Sequence, residues 1–222
     1  MDCNVPLTEN LRSRHEEIGT VFKALRMARP DASIELKYTN TFTLLVAVIL
    51  SAQAKDARVN AVTNILFTQF STPQEVLALG IETFERQVRT IGLYKVKSKN
   101  IFKMSEILVD KFHGCVPNTR EELETLPGVG RKTAHVVLNV AFGQPVIAVD
   151  THVFRVAHLL GLSTAKTPER VGEDLERCIP EEYLQQAHHL LVLHGRYVCT
   201  AHAPRCVVCV VRKWCTKEQG IS

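Results

Sequence analysis

The sequence lacks the short-range signs of a β-sheet. No stretch alternates polar and apolar residues with period two, and no Asn-Gly or Asp-Gly pair marks a hairpin. It also lacks a long apolar run: the longest, Leu44 to Leu50, is too short to span a bilayer. The start is acidic at Asp2 with no apolar segment behind it, so no signal peptide is expected. Evenly spread cysteines are missing too. The count of seven is odd, and four crowd into the last 24 residues. That argues against a disulfide framework and for a metal site in a reducing compartment. Acids are locally absent: residues 86–103 have none, and Asp150 is the only one between Glu124 and Glu169.

What is present fits a globular chain of 222 residues, with 45% hydrophobic and 23% charged residues. The length suits one large or two modest domains. A net charge of +4 allows a polyanionic partner without requiring one. Its distribution says more. Arg86, Arg89, Lys95, Lys97, Lys99 and Lys103 form one basic stretch, and five Lys or Arg from His194 onward face Glu218 alone. Two local patches suit a phosphate backbone, although a solvated helix face would look similar.

Apolar periodicity gives about ten helices and an all-α chain. Thr8 caps a first helix over 8–28, with Leu11, Ile18, Val21, Phe22 and Leu25 on one face. Asn40 or Thr41 opens an apolar helix to Leu50. A helix from Asp56 to Phe70 is expected to bury Val59, Val62, Ile65, Leu66 and Phe70. Thr72-Pro73 and Thr167-Pro168 are caps followed by proline at the first helical position. Residues 90–94 break the pattern, which resumes from Lys95 to Phe112. Later helices are expected at 119–126, 131–141, 151–161, 168–179 and from Pro180 towards Gly195.

Three constellations carry chemistry. The first is Leu126-Pro127-Gly128-Val129-Gly130 between two helices, followed by Arg131 and Lys132. Both glycines can take positive φ and expose amides, which would cradle one phosphate; a plain helix–helix turn is the alternative. The second is Lys132 with Asp150. An amine nucleophile must lose its proton, for which a helix N-terminus and partial burial are the local means. A nearby carboxylate could take that proton. Equally, Lys132 could be a phosphate contact and Asp150 only the cap of the helix after it. The third is Cys199-x6-Cys206-x2-Cys209-x5-Cys215, four thiols in 17 residues. The single compact loop suits a cubane iron–sulfur cluster better than the paired spacings of zinc sites. Cys3, Cys115 and Cys178 look inert.

Together, LPGVGRKTA at 126–134, IAVDTHVFRV at 147–156, LHGRYVC at 193–199 and the cysteine loop closely resemble the endonuclease III family of DNA glycosylases, of the helix-hairpin-helix superfamily. SAQAKD at 51–56 and IGLYKVKSKNI at 91–101 also match, so the resemblance covers about residues 8–216. It implies two all-α domains. Residues 34–144 would form a six-helix barrel with the hairpin, and 1–33 plus 145–222 an iron–sulfur domain. A [4Fe-4S] cluster would sit on Cys199, Cys206, Cys209 and Cys215. The partner would be double-stranded DNA with damaged bases or abasic sites, lying across a cleft with the base flipped out. Lys132 would attack C1′, Asp150 would assist, and β-elimination would nick the strand. Gly128, Gly130 and Arg131 would contact DNA. Gln53 and Leu93 resemble the residues that fill the gap and wedge the helix, although Leu93 could be an ordinary core leucine.

The resemblance further implies a cytoplasmic monomer in base excision repair, acting on oxidised pyrimidines. The alternatives are a monofunctional mismatch glycosylase and a non-catalytic DNA-binding module. Adenine-mismatch enzymes carry glutamate where this chain has Ala47, and thymine-mismatch enzymes usually have tyrosine at the position of Lys132; both differences favour the bifunctional class. His135 stands where the family more often has asparagine, and could touch DNA or only pack.

Overall fold

The computed structural model describes the backbone of residues 9–218 and 220, and side chains from residue 14. Among them are eleven α-helices, two short 3₁₀ turns and no strand, in accord with the all-α expectation. Thr8 and the side chain of Leu11 lie outside the described residues, as does Cys3. The chain divides into two compact units, Ile34–Gln144 and the described residues of Met1–Ser33 with Pro145–Ser222.

Ile34–Gln144 holds α2 (Thr41–Ser51), α3 (Asp56–Leu66), α4 (Pro73–Leu79), α5 (Ile81–Val88), α6 (Tyr94–Phe112), α7 (Arg120–Glu124) and α8 (Arg131–Phe142). Helix α2 is its axis. A capping box closes its first turn: the Asn40 side chain accepts from Thr43 N at 2.9 Å, and Thr43 Oγ1 accepts from Asn40 N at 2.9 Å. From Phe42 to Leu50 every residue is buried, because α3, α6 and α8 pack around it. An all-round apolar helix has no polar face to give to water, so it can only be central. Each large side chain buried there contributes about 1.5–3 kcal/mol. Phe42, Phe70, Phe84 and Phe102 continue this core as a chain of rings 5.6–6.2 Å apart.

Two expectations change here. Helix α3 stops at Leu66, and its buried residues are Val59, Thr63 and Leu66 rather than a face containing Ile65, which is 65% exposed. The spacing 59, 63, 66 is one helical stripe, and Ile65 falls about 100° off it. Gly80, at φ 80°, ends α4 and starts α5, so there are eleven helices rather than about ten.

The other unit contains α1 (Glu9–Ala28), α9 (Thr151–Leu159), α10 (Pro168–Cys178) and α11 (Glu181–Tyr197). Its core joins Phe22 and Leu25 of α1 to Val153 and Val156 of α9 and Leu190 and Leu191 of α11. Helices α9 and α11 approach so closely that a Cβ on Gly195 would lie 2.8 Å from His152 Cβ. That explains the glycine of the LHGRYVC segment.

Burial on α11 pushes the His189 imidazole down to about 4 from an ordinary value of 6.5. The sign follows directly. The folded state refuses a proton that the unfolded chain accepts, so stability is full above pH 6.5 and falls as pH drops towards 4. At about 1.4 kcal/mol per unit, His189 alone is expected to cost roughly 2 kcal/mol by pH 5. Urea unfolding at pH 7 and pH 5 measures this; burial also pushes His194 down to about 4, so His189→Gln should remove only its own share of the difference.

Candidate functional site

The hairpin begins where Thr119 caps α7 and its short helix buries Leu123. Leu126 and Val129 are buried behind the turn, and Val129 N donates to Leu126 O at 3.0 Å. These two apolar anchors turn the glycines outward. Gly128 takes φ +83°, and a Cβ there would stand 3.1 Å from Asn100 Cβ on α6. It is glycine for two reasons, a left-handed backbone and a close helix contact. Gly130 differs from expectation. Its φ is −97°, it is the N-cap of α8, and a Cβ there would meet nothing within 4 Å. The fold does not demand glycine at 130, and the space beside it is open. Among the described residues neither glycine amide has a hydrogen-bond acceptor.

The two glycines should therefore separate by substitution. Gly128→Ala should lower unfolding stability by about 1–2 kcal/mol through the left-handed penalty. Gly130→Ser keeps a good N-cap residue and should leave stability unchanged. On the expectation that 126–130 cradles a phosphate, it should weaken binding to abasic duplex roughly tenfold. Thermal melts and binding titrations on the same two variants check both halves.

Lys132 projects from the first turn of α8 and is exposed, not partly buried as expected. The cause is its place in the helix. Every residue from Ala134 to Asn139 is buried, and Lys132 precedes that buried stretch in the helix's first turn. His135 is 9% exposed, so it packs inward rather than presenting itself to DNA.

Asp150 belongs to the other unit and caps α9. Its Oδ1 accepts from His152 N at 2.9 Å and Val153 N at 2.8 Å. Among the described residues no partner occupies Oδ2. One carboxylate oxygen is thus fixed by the helix, while the other stays available for a proton.

Gln53 and Leu93 share an unusual backbone. They are two of three non-glycine residues with positive φ among the described residues, at 55° and 58°. Such a conformation costs on the order of 1–3 kcal/mol and persists where surrounding structure dictates it. Both side chains are exposed; Leu93 is 62% exposed, which rules out an ordinary core leucine. The stretch expected to be uniformly basic around it is not. Arg86, Arg89, Lys95, Lys99 and Lys103 are exposed, but Lys97 is 5% exposed and therefore no backbone contact.

The cysteine loop follows α11 and is held at several points. Arg155 donates to Cys199 O from Nε at 3.1 Å and from Nη2 at 2.8 Å, and to Gly195 O at 2.9 Å. Thr216 N donates to Leu159 O at 2.8 Å, and Val211 plugs the core. Burial raises the Cys199 and Cys209 thiols above their ordinary value, and neighbouring cysteines add to it. For Cys209 those neighbours are Cys199, Cys206 and Cys215, so the four sulfurs share one electrostatic neighbourhood. His194 Nε2 lies 3.6 Å from Cys209 Sγ. Among the described residues no three His, Cys, Asp or Glu side chains are gathered as closely as a single ion requires. Spacing alone gives Arg155 and His194 no role beside the cysteine loop; their contacts show it.

Residues 46–181 match the model of the HhH-GPD superfamily of base excision DNA repair proteins. "Endonuclease III" of Treponema pallidum is 50% identical over 90% of this chain and 95% of its own. The Rickettsia conorii protein of that name is 48% identical over 89% and 94%. The chain belongs to the endonuclease III family. A solved structure described as a trapped endonuclease III–DNA covalent intermediate matches with a TM-score of 0.82 at 42% identity, over 97% of this chain and 99% of that one. The likeness to endonuclease III therefore extends well beyond the hairpin at 126–130, over nearly the whole chain.

Proposed function

We infer that this protein is a bifunctional DNA glycosylase and abasic-site lyase of base excision repair, acting on double-stranded DNA that carries damaged bases or abasic sites. Membership of the endonuclease III family carries that reading. No helix among the described residues is long and apolar enough to cross a membrane.

The residue roles and the lesion class are our proposal. Lys132 is the nucleophile. Its Nζ forms a bond to C1′ while the C1′–N glycosidic bond breaks and the base leaves with the electron pair. Ring opening gives an imine between Lys132 and the sugar. Loss of a C2′ proton then expels the 3′ phosphate and nicks the strand. Asp150 is the acid–base group, through the oxygen that its cap does not use. Gly128, Gly130 and Arg131 hold a phosphate, so the lysine meets a strand already in register. Gln53 fills the vacated space and Leu93 wedges the stack. Oxidised or ring-saturated pyrimidines are the expected bases.

Cys199, Cys206, Cys209 and Cys215 fit a [4Fe-4S] cluster. The donor set is four thiols in one loop, two of them half-buried against the core, where a bare thiolate is disfavoured and a cationic centre would stabilise it. The cluster would supply a structural tie for the basic loop around it. Cysteine-to-serine changes there should damage folding or DNA binding and abolish a visible absorption band, while zinc would leave the protein colourless.

Cleavage of defined duplexes carrying different lesions tests the reading. Oxidised pyrimidines should be excised and the strand nicked at the abasic site. Excision without nicking would support a monofunctional enzyme, and binding without either would leave only a docking module.

A further inference from the structure

Lys97 lies on the buried stripe of α6 with Ile101, Met104 and Leu108, yet ends in an amine. Its Nζ donates to Leu50 O at 2.8 Å and to Ala52 O at 2.6 Å, the carbonyls at the end of α2. Those carbonyls are left without partners where the helix stops, and Gln53 follows them in the left-handed conformation. The backbone N of Lys97 donates to Leu93 O at 3.1 Å. Leu93 is the left-handed N-cap of α6 and has no side-chain cap. One residue therefore touches both strained turns, by its main chain at Leu93 and by its side chain beside Gln53.

We propose that Lys97 is a positioning residue that fixes the two DNA-inserting turns relative to each other, so that Gln53 and Leu93 enter the duplex as one unit. An apolar side chain of that length would fill the same space but leave two carbonyls unsatisfied and the Gln53 turn untied. Burial already holds the Lys97 amine below its ordinary value, as expected for a group kept inside for its hydrogen bonds. Lys97 is only 5% exposed and spends its amine on these two carbonyls, so it acts through the turns. The inference rests on the assignment of Gln53 and Leu93 as inserting residues.

The test compares strand cleavage at an abasic site in duplex and in single-stranded DNA for the full chain, Lys97→Met, and Gln53→Ala/Leu93→Ala. A single strand needs no extrusion, so it reads the chemistry and the fold alone. Lys97→Met should lose about 10²-fold in kcat/KM on duplex, the scale of a small misplacement, and keep its single-strand rate. Added to Gln53→Ala/Leu93→Ala, it should cost little more, since there is nothing left to position. Full duplex activity in Lys97→Met overturns the proposal, as does equal loss on both substrates. If Gln53→Ala/Leu93→Ala cleaves duplex like the parent, the insertion roles themselves fail, and that result is distinct from failure of Lys97 alone.

Discussion

Lys132→Gln is expected to abolish strand nicking at abasic sites while leaving duplex binding nearly intact. The side chain is exposed on the first turn of α8, and none of the core depends on it. Glutamine keeps a polar chain of similar reach, so the hairpin and its phosphate cradle remain. What disappears is the amine that forms the bond to C1′. Without it there is no imine and no acidified C2′ proton to lose, so excision and lyase steps fail together. The loss should exceed the ~10⁴-fold upper end seen when a single acid–base group is removed. Gel-resolved cleavage rates beside binding titrations measure both quantities. If binding falls as far as cleavage, Lys132 is a phosphate contact instead.

Asp150→Asn should slow the chemical step by ~10²–10⁴-fold, with stability unchanged. The geometry makes this substitution a clean separation. The Oδ1 atom that accepts from His152 N and Val153 N has an equivalent in asparagine, and asparagine is as good a cap as aspartate. Only the second oxygen changes, from a carboxylate that can carry a proton to an amide that cannot. Asp150→Ala should add a cap loss of about 1 kcal/mol to the same catalytic defect. Single-turnover rates and urea unfolding on the pair separate the two roles. A stability loss in Asp150→Asn equal to that of Asp150→Ala would mark the residue as a cap alone.

Much of this was legible in the sequence where local chemistry decides the outcome. Helix α2 could be read as central because every residue from Phe42 to Leu50 is apolar or small. Asn40, Thr72, Thr119, Asp150 and Thr167 could be read as caps because their side chains bond to amides two or three residues on. The cysteine loop was visible from spacing alone. What stayed hidden depends on tertiary context. Nothing in the side chains of Gln53 or Leu93 announces a left-handed backbone; the surrounding packing imposes it. Gly130 looked equivalent to Gly128, yet only Gly128 has positive φ. Ile65 looked like core until the stripe was fixed by Val59, Thr63 and Leu66. Lys97 was counted with its basic neighbours, although its spacing to Ile101, Met104 and Leu108 is that of an inward position. Its charge masks that periodicity, and burial becomes possible because the carbonyls of Leu50 and Ala52 accept from its amine.

The most direct test of the account is where the covalent bond forms. Borohydride reduction of the protein on an abasic duplex should trap an adduct, and peptide mapping by mass spectrometry should place the sugar remnant on Lys132. An adduct on another amine, or none at all from protein that binds and nicks the duplex, would contradict the mechanism.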